Sequence, residues 1–104
     1  MRRGEIWWAE FPGPAGRRPV VLLSRNEAYD IRELVTVAPV TTRLRNIPVE
    51  VSLGKSEGLS KDCAANLDTI ATIPKKCLAQ RIGLLSPRKM RELDDALVFA
   101  LGLA

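Results

Sequence analysis

The chain has 104 residues, 46% of them hydrophobic, which is enough for one compact domain over residues 1–104 and too short for two. No stretch is long and apolar enough to cross a membrane, and Glu5 and Glu10 argue against a signal peptide, so we expect a cytoplasmic protein that binds no membrane. The net charge of +4 favours an anionic partner, most simply a nucleic acid.

Two residue types limit the chemistry. The chain has no histidine, so acid–base catalysis has to rest on Arg, Lys, Thr, Ser, Asp, Glu or Tyr. Cys63 and Cys77 are too few for a disulfide scaffold, and without histidine they do not make a zinc site. We therefore predict that both cysteines are small semi-buried residues and that the protein uses no metal or other cofactor.

The first half of the chain contains three predicted strands. Residues 4–11 alternate in polarity, and residues 19–24 and 34–40 are apolar and rich in β-branched side chains, which is typical of strands. The Pro- and Gly-rich residues 12–16 predict a turn. The polar residues 25–32 predict a short helical turn.

The second half continues with short strands. Residues 41–47 predict a loop, and residues 48–53 alternate cleanly, which predicts a fourth strand with one solvated face. Residues 63–67 predict a fifth strand and residues 78–84 the last one, whereas residues 70–74 are ambiguous.

A helix is predicted at the C-terminus. Ser86 is a suitable N-cap and Pro87 suits the first helical position, while Gly102 supplies a stop. One helical face carries an apolar stripe made of Met90, Leu93, Leu97 and Leu101, which we expect to pack on the sheet. Several short strands followed by one helix predict a mainly β (α+β) fold, a small β-barrel with a C-terminal helix.

Basic residues are concentrated in three places. Arg17 and Arg18 directly precede Pro19, which starts the predicted second strand, so a fixed guanidinium there suits a phosphate or carboxylate. Arg43 and Arg45 follow a Thr pair and suit phosphate contacts, although a solvated loop explains each of them equally well. Lys75 and Lys76 form the third group.

Six blocks of sequence together resemble a known family. They are residues 3–9 (RGEIWWA), 18–24 (RPVVLLS), 37–42 (VAPVTT), 58–63 (GLSKDC), 67–73 (LDTIATI) and 81–83 (RIG), followed by the terminal helix. In this order, and over essentially the whole chain, they are similar to the MazF/PemK toxins of bacterial type II toxin–antitoxin pairs.

The resemblance implies an SH3-like barrel, a homodimer and a metal-independent endoribonuclease. Such toxins cut single-stranded RNA, including mRNA, at short sequence motifs, leave 2′,3′-cyclic phosphate and 5′-hydroxyl ends, inhibit growth, and are neutralised by a cognate antitoxin. Arg18 and Thr41 match the catalytic arginine and threonine of the family. Further RNA-contacting positions are then expected at Arg17, Ser24, Thr42, Arg43, Arg45 and Asp68.

The proposed chemistry also suits these two residues in isolation. The guanidinium of Arg18 offers a fork of N–H donors to the non-bridging oxygens of a phosphorane, and it is a poor proton donor. The hydroxyl of Thr41 both donates and accepts, so it can orient the phosphate or the 2′-hydroxyl. A surface salt bridge for Arg18 and a backbone-bonded strand end for Thr41 are the plainer interpretations.

The chain departs from the family pattern at two positions. The loop of residues 12–16 lacks the glutamate that many members carry shortly before the Arg-Pro pair, which removes a candidate general base. Thr69 stands where a glutamine often follows the acid, which indicates a different base preference. Of the adjacent Trp7 and Trp8, we expect one ring to be buried and the other to be exposed, for stacking on a base or for a dimer contact.

Two other functions are compatible with the same fold. CcdB-like toxins poison DNA gyrase without catalysis, and a plain nucleic-acid-binding module needs no active site. The blocks around Arg18 and Thr41 favour the nuclease.

Overall fold

The computed structural model describes residues 1–103, which form seven strands and two α-helices. The strands are β1 (Glu5–Glu10), β2 (Arg17–Leu22), β3 (Leu34–Thr41), β4 (Glu50–Leu53), β5 (Cys63–Asn66), β6 (Ala71–Pro74) and β7 (Leu78–Leu84), and the helices are α1 (Ala28–Ile31) and α2 (Pro87–Leu101). Short 3₁₀ turns lie at Gly13–Ala15, Lys55–Glu57, Leu67–Thr69 and Lys75–Cys77. None of the helices in residues 1–103 is long and apolar enough to span a membrane.

The strands form one bent, antiparallel half-barrel in the order β4-β5-β3-β2-β1-β7, with β6 also paired to β3. Strand β3 is the branch point, because its first half pairs with β6 and its last two residues pair with β5. Strand β2 pairs with the other edge of β3. The C-terminal end of β3 therefore lies between β2 and β5, and this junction carries the candidate site.

Both faces of the sheet are apolar. One cluster surrounds Ile6, Val21 and Leu93, all 0% exposed, and α2 covers it. The other face has a second cluster that includes Val20 and Leu22. Alternate residues of each strand point to opposite faces, so neighbours such as Val20 and Val21 belong to different clusters.

Helix α2 begins and ends where the sequence predicts. The Ser86 hydroxyl accepts a hydrogen bond from the backbone N–H of Lys89 at 3.2 Å, and Gly102 caps the other end with a positive φ of 67°. Leu93 of the predicted stripe is fully buried. Leu101 is 51% exposed, contrary to expectation, because the last turn contacts the cluster through Ala100 instead.

The strand boundaries correct the sequence prediction in ways that matter for the site. Strand β2 starts at Arg17, two residues earlier than predicted, because the hairpin pairs Glu10 with Arg17 and Ala9 with Arg18. Strand β3 extends to Thr41, which was predicted to be in a loop, because it pairs with Ala64. Both candidate catalytic residues are thus held by strands.

Two other expectations changed. The ambiguous residues 70–74 contain strand β6, which pairs with the first half of β3. Trp7 and Trp8 are both half-buried, so the division into one buried and one exposed ring was wrong. Trp7 packs beside the second apolar cluster and its indole N–H donates to Glu5 Oε1 at 3.0 Å, whereas Trp8 lies near Arg17.

Candidate functional site

The Arg18 side chain is held through its Nε, and in the described part of the chain its terminal Nη groups are free. Its side chain is exposed, and its Nε–H donates to the carbonyl oxygen of Ala15 at 3.0 Å. Ala15 belongs to the 3₁₀ turn that connects β1 to β2, so the hairpin itself holds the guanidinium in place. A guanidinium has five N–H donors, and within residues 1–103 the hydrogen bond to Ala15 is the only one that the Arg18 side chain makes. The remaining donors are available to a ligand.

Thr41 lies beside Arg18 because of the strand register. Val20 is paired with Pro39 across β2 and β3. Arg18 precedes Val20 by two positions and Thr41 follows Pro39 by two, so both lie at the same end of this strand pair and on the same face. The Thr41 Oγ1 accepts a hydrogen bond from the backbone N–H of Arg43 at 3.1 Å. This bond orients the hydroxyl while leaving its proton free to donate.

Arg18 and Thr41 line two adjoining cavities. The first, here named the Trp8 cavity, has a volume of about 400 Å³ and is lined by Trp8, Arg18, Pro19, Val40, Thr41, Thr42, Gly58, Leu59, Ser60, Lys61 and Cys63. The second, the Asn66 cavity, has a volume of about 420 Å³ and is lined by Arg18, Pro39, Val40, Thr41, Arg43, Arg45, Asn66 and Thr69. An extended ligand that passes from one cavity to the other therefore crosses the Arg18–Thr41 pair.

The Trp8 cavity offers a fixed aromatic surface. The guanidinium carbon of Arg17 lies 4.6 Å from the centroid of the Trp8 ring, and its Nη2 donates to Gln80 Oε1 at 3.1 Å. This cation–π contact restrains the ring. A flat, restrained ring at the border of a cavity is suited to stacking against a planar group such as a nucleobase.

The Asn66 cavity is bordered by an anchored arginine. The Nε of Arg45 donates to Glu50 Oε2 at 2.9 Å, and its backbone N–H donates to Oε1, also at 2.9 Å. The Glu50 side chain is only 3% exposed. The hydrogen bond from the Arg45 backbone, with that from its side chain, holds the pKa of Glu50 below its ordinary 4.5. Glu50 therefore carries a charge at neutral pH and fixes the loop that bears Arg45.

The electrostatic character of the two cavities is positive. Their lining includes Arg18, Arg43, Arg45 and Lys61, and among residues 1–103 no aspartate or glutamate lines either one. Within the same residues, no three Cys, Asp or Glu side chains come together in a group that could hold a metal ion. A polyanion is the ligand class that this distribution favours.

Cys63 and Cys77 are both free thiols, the first buried and the second half-buried. Cys63 Sγ donates weakly to the Leu53 carbonyl at 3.7 Å, and burial raises its pKa. A protonated, buried thiol is a packing residue rather than a nucleophile.

Some predicted RNA-contacting residues lie away from the cavities. Ser24 is six residues beyond Arg18, roughly 20 Å away along an extended chain, and its hydroxyl accepts from the Thr36 backbone N–H. Arg17 acts on the Trp8 ring, and Asp68 is exposed on the turn after β5. Thr42 lines the Trp8 cavity, and Arg43 and Arg45 line the Asn66 cavity.

Sequence reasoning overlooked Asn66, Ser60 and Lys61 as lining residues. For Asn66 a signal was present, because an asparagine at the end of a strand and two residues before an aspartate is typical of a capped turn. Ser60 and Lys61 come from a loop whose position depends on tertiary packing, and no local pattern identifies them.

Residues 2–101 match the model of a family described as PemK-like, MazF-like toxin of type II toxin–antitoxin system. The chain belongs to this family. It is 39% identical over 99 residues to the Mycobacterium tuberculosis protein named "Probable endoribonuclease MazF5", covering 94% of this chain and 90% of that relative. The family resemblance expected from the sequence blocks is thereby confirmed.

Solved structures of the family have the same fold. The Mycobacterium tuberculosis toxin MazF-mt6 superposes with a TM-score of 0.89 at 31% identity, over 96% of this chain and 98% of that one. A mycobacterial endoribonuclease solved in complex with its cognate antitoxin superposes with a TM-score of 0.87 at 30% identity, over 100% of this chain and 97% of that one. The prediction of a mainly β fold with a C-terminal helix is confirmed.

Proposed function

We propose that this protein is a sequence-selective, metal-independent endoribonuclease toxin that cleaves single-stranded RNA at the Arg18–Thr41 pair. The observation that carries the proposal is that Arg18 and Thr41 lie at the same end of the β2–β3 pair and that both side chains line both cavities. The endoribonuclease activity is the one by which the curated relatives are named. RNA lies across both cavities, with its scissile phosphate at the pair.

The reaction uses the 2′-hydroxyl of the RNA as nucleophile. The 2′-oxygen forms a bond to phosphorus, the bond from phosphorus to the 5′-oxygen breaks, the 2′-proton is released, and the leaving oxygen takes up a proton. The products are a 2′,3′-cyclic phosphate and a 5′-hydroxyl. Since the substrate brings its own nucleophile, no metal-activated water is needed.

Arg18 and Thr41 divide the remaining work. The free donors of Arg18 stabilise the extra negative charge of the phosphorane, and such preorganised donors contribute roughly a hundredfold or more in rate. Thr41, oriented by the Arg43 backbone N–H, donates its proton to a non-bridging oxygen. Thr42, Arg43 and Arg45 contact the flanking RNA, and the arginines neutralise its phosphates.

Membership of the family supports the biological setting that we propose. The chain is a single toxin domain over residues 1–104, acts in the cytoplasm as a homodimer, and inhibits growth by cutting mRNA until a cognate antitoxin binds it. A positively charged cleft of this kind also attracts an acidic antitoxin segment, which competes with RNA. One structural relative is itself solved with its cognate antitoxin.

The test is cleavage of a long single-stranded RNA in excess EDTA, with both new ends mapped. Discrete cuts with 5′-hydroxyl ends support the proposal, and their positions define the recognition motif. Thr41→Val, which keeps the shape of the side chain and removes its hydroxyl, is expected to reduce the rate at least tenfold. Intact RNA in the presence of folded wild-type protein refutes the proposed function.

A further inference from the structure

Asn66 presents a fixed hydrogen-bond donor to the site. It is the last residue of β5 and caps the 3₁₀ turn Leu67–Thr69, where its Oδ1 accepts from the backbone N–H of Asp68 at 2.9 Å. Only the oxygen of an amide can accept from an N–H, so this bond sets the orientation of the group. The Nδ2 therefore points away from the turn, and within residues 1–103 it makes no hydrogen bond.

The register places this donor on the face that carries the reaction. Thr41 is paired with Ala64 across β3 and β5, and Asn66 lies two positions beyond Ala64. Alternation puts Asn66 on the same face as Thr41, at a diagonal separation of about 7–8 Å. Asn66 also lines the same cavity as Arg18 and Thr41. This separation is on the scale of a nucleotide attached to the phosphate between them.

Asn66 differs in kind from its charged neighbours. Arg43 and Arg45 neutralise phosphates, which fixes RNA in place without distinguishing its sequence. Asn66 is a neutral amide held in one orientation, and such a group discriminates between base edges. Uracil O4 and guanine O6 are keto oxygens that accept, whereas the groups in the corresponding positions, cytosine N4 and adenine N6, are amino groups that donate.

We infer that Asn66 is a specificity-determining residue: its Nδ2 donates to O4 of a uracil or O6 of a guanine next to the cleaved bond, selecting U or G over C or A at that position. The inference rests on the proposed endoribonuclease function. A cytosine or adenine in the same pose would bring a second donor against Nδ2 and leave both unpaired. One such contact is expected to give about tenfold discrimination.

Asn66→Asp tests the polarity of this contact. Aspartate has the same shape, keeps an oxygen for the Asp68 backbone N–H, and is an equally good cap. It replaces the Nδ2 donor with an accepting oxygen. Wild type and variant are given an RNA pool with randomised bases around a cut site, in EDTA, and the 5′-hydroxyl ends are sequenced. We expect the preference at one position beside the cut to change from U or G to C or A, about tenfold, with the rest of the motif unchanged.

Two further variants keep the inference falsifiable. Asn66→Ala should abolish the preference at that position without inverting it. Asn26→Asp is the matched control, because Asn26 Oδ1 likewise accepts a backbone N–H, from Arg3 at 2.6 Å, and lies outside both cavities. It adds the same charge and should leave the motif unchanged.

The outcomes separate cleanly. An unaltered motif in either active Asn66 variant overturns the inference while the proposed function stands. If Asn66→Asp cuts nothing, Asn66→Ala decides: loss of preference at a single position supports the inference, and an unchanged motif overturns it. Wild-type protein that leaves every RNA intact refutes the proposed function and removes the inference with it.

Discussion

Replacing Arg18 by alanine isolates its contribution to the transition state. The Nε–H of Arg18 donates to the Ala15 carbonyl, and within residues 1–103 the other four of its five N–H donors remain available to a ligand. Two charge-assisted hydrogen bonds to a phosphorane, at about 1.5–3 kcal/mol each, amount to roughly 3–6 kcal/mol. At about 1.36 kcal/mol per factor of ten, Arg18→Ala should slow cleavage about 10²- to 10⁴-fold.

The same substitution should barely affect folding. The side chain is exposed, and its hydrogen bond to the Ala15 carbonyl is exposed as well, so the free energy of unfolding should fall by no more than about 1 kcal/mol. Arg18→Lys keeps the charge without the fork of donors, so its cleavage rate should lie between those of Arg18→Ala and the wild type. Arg25→Ala removes an exposed arginine beyond the other end of β2 and should cut like wild type.

The assay is single-turnover cleavage of a short RNA that contains the mapped motif, at saturating protein, with urea unfolding of each variant. Saturation separates the chemical step from binding. A loss of less than tenfold for folded Arg18→Ala would refute charge stabilisation by this residue. An equal loss in Arg25→Ala would mean that net charge, rather than position, is what matters.

Three further expectations concern binding and stability. Trp8→Leu should weaken RNA binding roughly tenfold by removing one stacking surface, with little change in the rate at saturation, and equal binding by titration would contradict the stacking role. Because hydrogen bonds from Arg45 lower the pKa of Glu50, its carboxylate stabilises the fold above the ordinary pKa of 4.5 and loses that effect as the pH falls through the lowered value. In urea unfolding at pH 7, the free energy of unfolding of the wild type should be higher than that of Glu50→Gln by roughly 1–2 kcal/mol, and the two values should converge in acid. A difference that stays constant with pH would exclude the ionic contribution. Ser86→Ala removes the N-cap of α2 and should cost about 1 kcal/mol, so an unchanged denaturation midpoint would show the cap to be dispensable.

Local chemistry explains why much of the fold was predictable. The ends of α2 follow from Ser86, Pro87 and Gly102, because the Ser86 hydroxyl caps the first turn and the backbone preferences of Pro87 and Gly102 suit the first helical position and the stop. The strands with continuous apolar patterns were placed to within a few residues. Residues 70–74 were ambiguous because the strand that they contain forms by pairing with β3, which is distant in sequence.

The site was less accessible to sequence reasoning. Arg18 and Thr41 were found through the family blocks, while Ser24, in the same block as Arg18, lies two residues beyond the other end of β2. Proximity in sequence along a strand does not bring side chains together, because each residue adds about 3.3 Å. Asn66 was overlooked because its relation to Thr41 depends on the pairing of β3 with β5.

The sequence by itself determined the mainly β fold, the capped terminal helix, the positive charge and the family, since each of these depends on residue types and their order. Only the tertiary structure decided which side chains share the site. Strand register brings Arg18 and Thr41 to the same end of the β2–β3 pair and places Asn66 on the same face, and register is fixed by pairing between segments that are far apart in the chain. A hydrogen bond from Arg18 to the Ala15 carbonyl, and those from the backbone N–H groups of Arg43 to Thr41 and of Asp68 to Asn66, then set the direction in which each group points.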